Sequence, residues 1–498
     1  MNSNNSLVKA RRLLIEIAAI VIIYVVGGVL SAEHNLISFL WLLVGCIGLF
    51  LYYSIRSRNL LDLRAILLAS ITGGVACCQL RLSEIQVVWE TETWVCHTLA
   101  LCCFCVGFAI AERKSTQKLE TRISQLWNKH AAKKIKFGFC PKKVYYATIF
   151  LAVMPIVLFC IQVAIKGFIP IFVKRHDAYI KFYTRMSIFI NLVILAAPMA
   201  FWCLKNLKLN LWQRIGMYAI IPLPTIIFQL MVQRGLFVWS ICILLAMVYM
   251  ESKRKFLGVI LSAALLLSGV VFSSAMRGIP VDAMQTIWKM DGQFTIIEGS
   301  DSQEPSKPTE TGDSQDATDP TETKKPENMN NNGISITIPE FFYAPYYYVI
   351  NGIENFNYMV SDIENHSWGF RQFAPFTVIL RFPALKEIIA GYPTFTILPN
   401  STSIIYGDFY YDFGIIGVAV EMLLLGMLCA IIQSIAVKKR DFFAYLEYGV
   451  MLAVIVTAFF AAWISIFGTW LFAGTAFLVF LYTYFSKNTN REELAKND

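Results

Sequence analysis

Residues 406–436 read YGDFYYDFGIIGVAVEMLLLGMLCAIIQSIA. From Ile415 onward the run holds one charged side chain, Glu421. Roughly 20 mostly apolar residues in a helix cross about 30 Å of hydrocarbon, and helices close their own backbone hydrogen bonds where no water is present. This stretch therefore reads as a membrane span. The reading extends to the whole chain of 498 residues, which is 56% hydrophobic and 15% charged and carries more apolar surface than one or two soluble domains bury. Comparable runs fall near 13–30, 36–54, 64–80, 94–111, 145–165, 187–204, 215–232, 236–250, 256–274, 411–436, 443–466 and 469–485. The expected fold is an all-α polytopic membrane protein of about twelve transmembrane helices, with one large extracytoplasmic loop between spans 9 and 10.

Basic residues resist translocation, so Lys and Arg in short loops set the orientation. The connection 113–143 holds ten Lys/Arg against one Glu and reads as cytoplasmic. With twelve spans, SIRSRNLLDLR, KNLKLNLWQR, ESKRK and AVKKR then lie on the same side, as do both termini. The net charge of +9 is accounted for by topology, and no nucleic-acid partner is needed. The first apolar run lacks a small-x-small cleavage site and reads as span 1. Most of the 12 cysteines sit within spans, as in VACCQL and LCCFCV, where they act as small apolar residues.

Three parts follow. Residues 1–276 form a first membrane domain with the basic loop 113–143 and an outer loop 166–186. Residues 277–405 form the large outer loop, and 406–498 carry the last spans and a cytoplasmic tail. Within the loop, 299–333 is rich in Asp, Glu, Ser, Thr and Pro without apolar periodicity, and reads as a disordered insertion. Beyond it Phe341, Phe342, Tyr343, Tyr346, Tyr347, Tyr348, Phe356 and Tyr358 crowd together. They suit a helix with its aromatics at headgroup depth or a platform on which sugar rings stack.

Arginines recur at expected outer edges: Arg234 at the end of span 7, Arg277 after span 9, Arg371 and Arg381 before span 10, Arg175 and Arg185 after span 5. Such placement opposes the positive-inside preference and calls for anionic partners. Arg234 and Arg277 are each followed by glycine, which lets the backbone turn or approach a ligand, while the guanidinium fork matches phosphate oxygens two at a time. Snorkelling to headgroups or pairing with loop carboxylates is the plainer role for any one of them.

Asp412-Phe413-Gly414 resembles the magnesium-binding triplet of protein kinases, but no glycine-rich phosphate loop or His-Arg-Asp motif accompanies it. Asp408 and Asp412 are four residues apart, on one face of a helix that begins there. They can accept a hydroxyl proton, pair with the arginines or cap the helix. Gly407, Gly414 and Gly417 suit close packing against a neighbouring helix. On a straight helix Glu421 sits about 13 Å deeper than Asp412. His366, in ENHSWGF near Arg371, is a further candidate base.

KGFIPIFVKRHDAY after span 5, QRG at span 7, MRG after span 9, the large outer loop and LPNSTSIIYGDFYYDFGIIG together resemble the oligosaccharide repeat-unit polymerases, the Wzy-type polymerases of O-antigen and capsule. The resemblance implies a GT-C-like glycosyltransferase in the bacterial cytoplasmic membrane, with its active site facing outward. Its substrates would be undecaprenyl-diphosphate-linked oligosaccharides. No D-x-D motif stands in the outer loop, so no metal or other cofactor is expected, and membrane lipids, chain-length regulators and flippases are implied partners. Arg234 and Arg277 match the arginine positions; Arg371, Arg381, Arg175 and Tyr411 join them as substrate-binding candidates, and Asp408, Asp412 and His366 as catalytic ones. A flippase or permease shares the span layout, although no internal repeat is visible. An O-antigen ligase shares the arginine chemistry.

Overall fold

A computed structural model of the protein describes residues 2–82, 86–114, 139–173, 181–252, 258–260, 262, 265, 293–295, 335–337, 343–363, 365–369, 371–372, 403–439 and 441–484. The architecture is an all-α polytopic membrane bundle. Among the described residues nine helical stretches are long and apolar enough to cross a membrane, and two shorter apolar helices accompany them. The expected span at 256–274 lies largely outside the described residues.

The helices are α1 (Asn2–Glu33), α2 (Asn35–Ser57), α3 (Leu63–Cys78), α4 (Thr91–Lys114), α5 (Pro141–Lys166), α6 (Arg185–Ile190), α7 (Ala196–Asn206), α8 (Leu211–Ile220), α9 (Leu223–Leu230), α10 (Arg234–Glu251), α11 (Tyr343–Asp362), α12 (Gly407–Lys439), α13 (Phe442–Val456) and α14 (Phe467–Tyr484). Leu14, Val25, Val44 and Ile55 on α1 and α2 stay exposed, as suits side chains that face lipid. The interior forms where α12 meets α4. A side-chain Cβ at Gly107 would lie 2.0 Å from the Leu423 carbonyl oxygen, and one at Gly426 would lie 2.2 Å from that of Phe104. Two reciprocal notches thus let the backbones touch, the device that replaces hydrophobic drive between helices in lipid. At the far end of α12, the Gln433 amide donates to Asp62 Oδ2 at 2.7 Å and its oxygen accepts from the Leu63 N–H at 2.8 Å. Asp62 also caps α3 by accepting from the N–H groups of Arg64 and Ala65.

Three expected spans differ in detail. Residues 187–204 pass from α6 through a 3-10 segment, Asn191–Leu195, into α7. Residues 215–232 break between α8 and α9 at Pro222, which has no N–H to continue the ladder. The run 443–466 is helical only to Val456; α13 is then about 22 Å long, short of the roughly 30 Å of hydrocarbon. The chain turns at 457–462 into a 3-10 turn, Trp463–Ser465, before α14. Ala458 and Ala461 in this turn are buried, as irregular backbone at such depth must be.

The acidic insertion 299–333 lies outside the described residues. Its flanks meet: β1 (Gln293–Thr295) pairs antiparallel with β2 (Ser335–Thr337), Phe294 opposite Ile336. The aromatic stretch beyond it becomes α11, which is docked on protein rather than laid on its surface: Ile350, Ile353 and Phe356 are fully buried against α3 and its neighbours. Glu354 anchors it, accepting from Gln86 Nε2 at 2.9 Å and Trp89 Nε1 at 3.1 Å, while Thr93 donates to Asn357 at 2.8 Å.

Burial raises the Glu354 carboxyl from its ordinary 4.5 to about 7. Because the folded value is raised, its contribution to stability is complete below the unfolded value and is lost as pH rises through about 7. Between about pH 5 and pH 8 the protein should lose on the order of 3 kcal/mol that Glu354→Gln does not, checked by thermal midpoints in detergent; parallel profiles would contradict this. Gly426→Val should destabilise the bundle by about 1–3 kcal/mol through overpacking against α4, read as a lower midpoint at equal expression.

Candidate active site

The opening stretch contains the sharpest feature of the backbone. Gly414 adopts φ 63° and ψ −149°, a combination open essentially to glycine alone, inside what is otherwise one helix. The chain reverses there. A Cβ at Gly417 would lie 2.3 Å from the Phe409 carbonyl oxygen, so the piece carrying residues 407–413 folds back along the piece that follows. Gly407 likewise abuts Ser403 of its own chain. Gly417 and Gly407 therefore pack the segment on its own chain, Gly414 makes room for His366, and the backbone-to-backbone contact with α4 belongs to Gly107 and Gly426. The fold-back also changes the place of Glu421: it is not stacked below Asp412 on a straight helix, but sits within electrostatic reach of Asp408 and Tyr406. Glu421 is 3% exposed, and neither carboxylate oxygen has a hydrogen-bond partner among the described residues.

Around this fold-back lie residues 365–369 and 371–372. The N–H groups of Ser367 and Trp368 donate to the carbonyls of Tyr411 and Asp412 at 3.2 and 3.0 Å, with Trp368 and Gly369 at positive φ. The Asp412 carboxylate accepts from the Ser367 hydroxyl, the Arg371 N–H at 3.0 Å and the Gln372 N–H at 3.0 Å. Asp408 takes the Arg371 side chain through Nε at 3.1 Å, and the guanidinium lies over the Tyr411 ring at 5.3 Å. That arginine side chain remains 30% exposed. The His366 ring is pressed against Gly414, whose added Cβ would approach Nε2 to 2.8 Å, and meets Tyr410 edge-on at 5.7 Å. Tyr410 donates to Glu92 at the start of α4, and Ser465 in the turn after α13 donates to Gln372.

The structure thus brings together Asp408, Asp412, His366, Arg371 and Tyr411. Arg234 opens α10 rather than closing the preceding helix, is 8% exposed, and lies over the Tyr348 ring at 5.0 Å. The following Gly235 is helical, and a Cβ there would make ordinary contact with Trp463, so it serves neither a turn nor a close approach. A ring series runs from Tyr348 to Phe460 to Trp463, two residues before Ser465, and so joins the two arginines' surroundings. Beside it opens an apolar cavity of about 340 Å³ bordered by Leu236, Trp239, Trp463 and Phe472. Arg277, Arg381 and Arg175 lie outside the described residues. Among the described residues no three His, Cys, Asp or Glu side chains converge as a metal site.

Sequence reasoning missed Ser367 and Gln372, which flank His366 and Arg371 in NHSWGFRQ, and Trp463, hidden in a run taken as continuous helix. The Trp-Gly pair and the second glycine of D-F-G-x-x-G are the signals of a tight turn that could have pointed to them.

Residues 386–459 match the family model described as "Putative O-antigen polymerase". The matched segment contains Asp408, Asp412, the fold-back and α13. It supports the resemblance to Wzy-type polymerases over that part of the chain, and with it, in general terms, a polymerase role and a glycosyltransferase-type enzyme. No curated protein and no solved structure matches the chain.

Gly414→Ala combines an unfavourable φ with a clash at His366 and should cost roughly 1–3 kcal/mol locally. The expected result is faster amide exchange at Ser367, Trp368, Arg371 and Gln372 with the α4–α12 contact still protected; unchanged exchange would refute the dependence of these bonds on Gly414.

Proposed function

We propose that the protein joins undecaprenyl-diphosphate-linked oligosaccharide repeat units into O-antigen or capsular polysaccharide on the outer face of the cytoplasmic membrane. The observation that carries this reading is the coincidence of the family match with the segment whose carboxylates hold Arg371. An acceptor hydroxyl attacks the anomeric carbon of the growing chain, the bond to the lipid diphosphate breaks, and the diphosphate leaves with the bonding electrons. Charge accumulates on its oxygens. Arg371 engages Asp408 through Nε, which leaves its terminal nitrogens for two phosphate oxygens. Arg234, with Arg277 by its place in the sequence, would serve the same diphosphate, and such preplaced cations stabilise a leaving group without a metal.

Asp412, occupied by one hydroxyl and two N–H groups, acts as a positioning residue; Asp408 orients the guanidinium. His366 is the proposed acceptor of the hydroxyl proton. The aromatic cavity beside Trp463 offers the isoprenoid an apolar bed. Arg381 and Arg175 are retained as proposed contacts to the glycan or diphosphate, on their sequence positions alone.

Deletion of the gene should turn a surface-glycan ladder into single repeat units. Intermediates trapped inside the membrane would instead identify a flippase, and long unattached polymer a ligase. Arg234→Ala or Arg277→Ala, at normal membrane abundance, should lower chain extension by at least about a hundredfold; long polymer from either would remove the diphosphate assignment. Purified protein should extend lipid-linked units in chelator, and activity restored only by a divalent cation would overturn the metal-free chemistry.

A further inference from the structure

The end of α12 remote from Gly414 borders a polar chamber, a cavity of about 560 Å³. Arg12, Arg56, Arg58, Arg64 and Lys438 all line it. So do three carboxylates, Glu16, Asp62 and Glu112. Glu16 accepts from the hydroxyls of Tyr52 and Tyr53 and from Arg56. Asp62 accepts from the N–H groups of Arg64 and Ala65 and from the Gln433 amide. The third, Glu112, borders the same space as Arg56.

Arg64 shows that the chamber is built rather than incidental. It is 3% exposed, and its guanidinium is clamped between the rings of Tyr53 and Phe108 at 4.2 and 4.5 Å. Its Nε is buried without a hydrogen-bond partner, since Asp62 Oδ1 is 3.9 Å away and its lone pairs are turned to backbone N–H groups. Its one ion-pair partner, Asp62, is thus spent on backbone N–H groups, and in a chamber where cations outnumber carboxylates the charge of this buried guanidinium is only partly balanced until an anion joins it. Burial among rings holds the fork in one orientation, which favours a planar or tetrahedral oxyanion over a monatomic ion.

We infer that this chamber binds a phosphate group, with Arg64 as the fixed donor at its base and Arg58 and Lys438 at its rim. The site is separate from the proposed active centre: the two lie at opposite ends of α12, a span of 33 residues. Two sources present the same chemistry at a membrane edge, the headgroup of an anionic phospholipid and a water-soluble phosphate compound. Leu13, Ala109 and Val437 on the border supply apolar contact for a lipid backbone.

The test uses the full chain, purified and returned to vesicles of phosphatidylcholine with or without phosphatidylglycerol, and separately titrated with inorganic pyrophosphate in the neutral vesicles. Thermal midpoint and retained lipid, measured by native mass spectrometry, are the readouts. Phosphatidylglycerol that raises the midpoint and is retained identifies a lipid headgroup; pyrophosphate alone raising it identifies a soluble phosphate. Either effect should be roughly tenfold weaker in Arg64→Gln. That variant also disturbs the Tyr53–Phe108 clamp, so the exposed pair Arg58→Gln with Lys438→Gln provides a second comparison with the same expected direction. No stabilisation by either anion, or equal stabilisation of wild type and both variants, overturns the proposal. None of these readouts depends on polymer synthesis.

Discussion

The arrangement at one end of the bundle depends on a single backbone constraint, the reversal at Gly414. A straight helix would carry Asp408 and Asp412 up one face and away from the apolar run that follows. With φ at 63°, the first two turns instead lie back on the span, and their carboxylates meet the segment 365–372. Asp412 fixes that segment by its backbone and Asp408 by its arginine. Within this arrangement the D-F-G triplet supplies an aspartate that gathers N–H groups, an exposed aromatic beside Trp368, and a glycine that turns the chain.

A second constraint keeps the reversal in place. The notches at Gly107 and Gly426 seat α12 directly on the α4 backbone, and Tyr410 reaches Glu92 at the start of α4. The reversal is thus held from the α4 side, while Ser465 holds Gln372 from the turn after α13. On the proposed chemistry this rigidity matters, because guanidiniums stabilise a departing diphosphate only if they need not reorganise as charge develops. The other end of the same helix carries a charged chamber of different construction, with a cation clamped by two rings.

Much of the fold was legible in the sequence because hydrocarbon leaves few options. Apolar runs of the right length must be helices, and α1, α2, α4, α5, α10, α12 and α14 occur where hydropathy places them. The breaks were less visible: Pro222 could be read, but the end of α13 at Val456 could not, since the residues that follow are as apolar as those before. The residues of the candidate site were identifiable by type, from arginines against the orientation rule and paired aspartates. Their arrangement was not, because it turns on one positive φ and on backbone N–H groups: the glycines signal that the chain turns, but not which carboxylate the N–H groups then meet. The spacing of Gly407, Gly414 and Gly417 signalled close approach, but the approach to α4 is made by Gly107 and Gly426, each with no other glycine at helical spacing.

The central claim is that Asp408 acts through Arg371, and a double-mutant cycle on repeat-unit consumption tests it most directly. Purified wild type, Asp408→Ala, Arg371→Ala and the double variant are compared at matched folding. If the aspartate only orients the guanidinium, the double variant is no slower than Arg371→Ala alone. Losses that add, with the double variant slower than either single one by the product of their effects, would contradict the account.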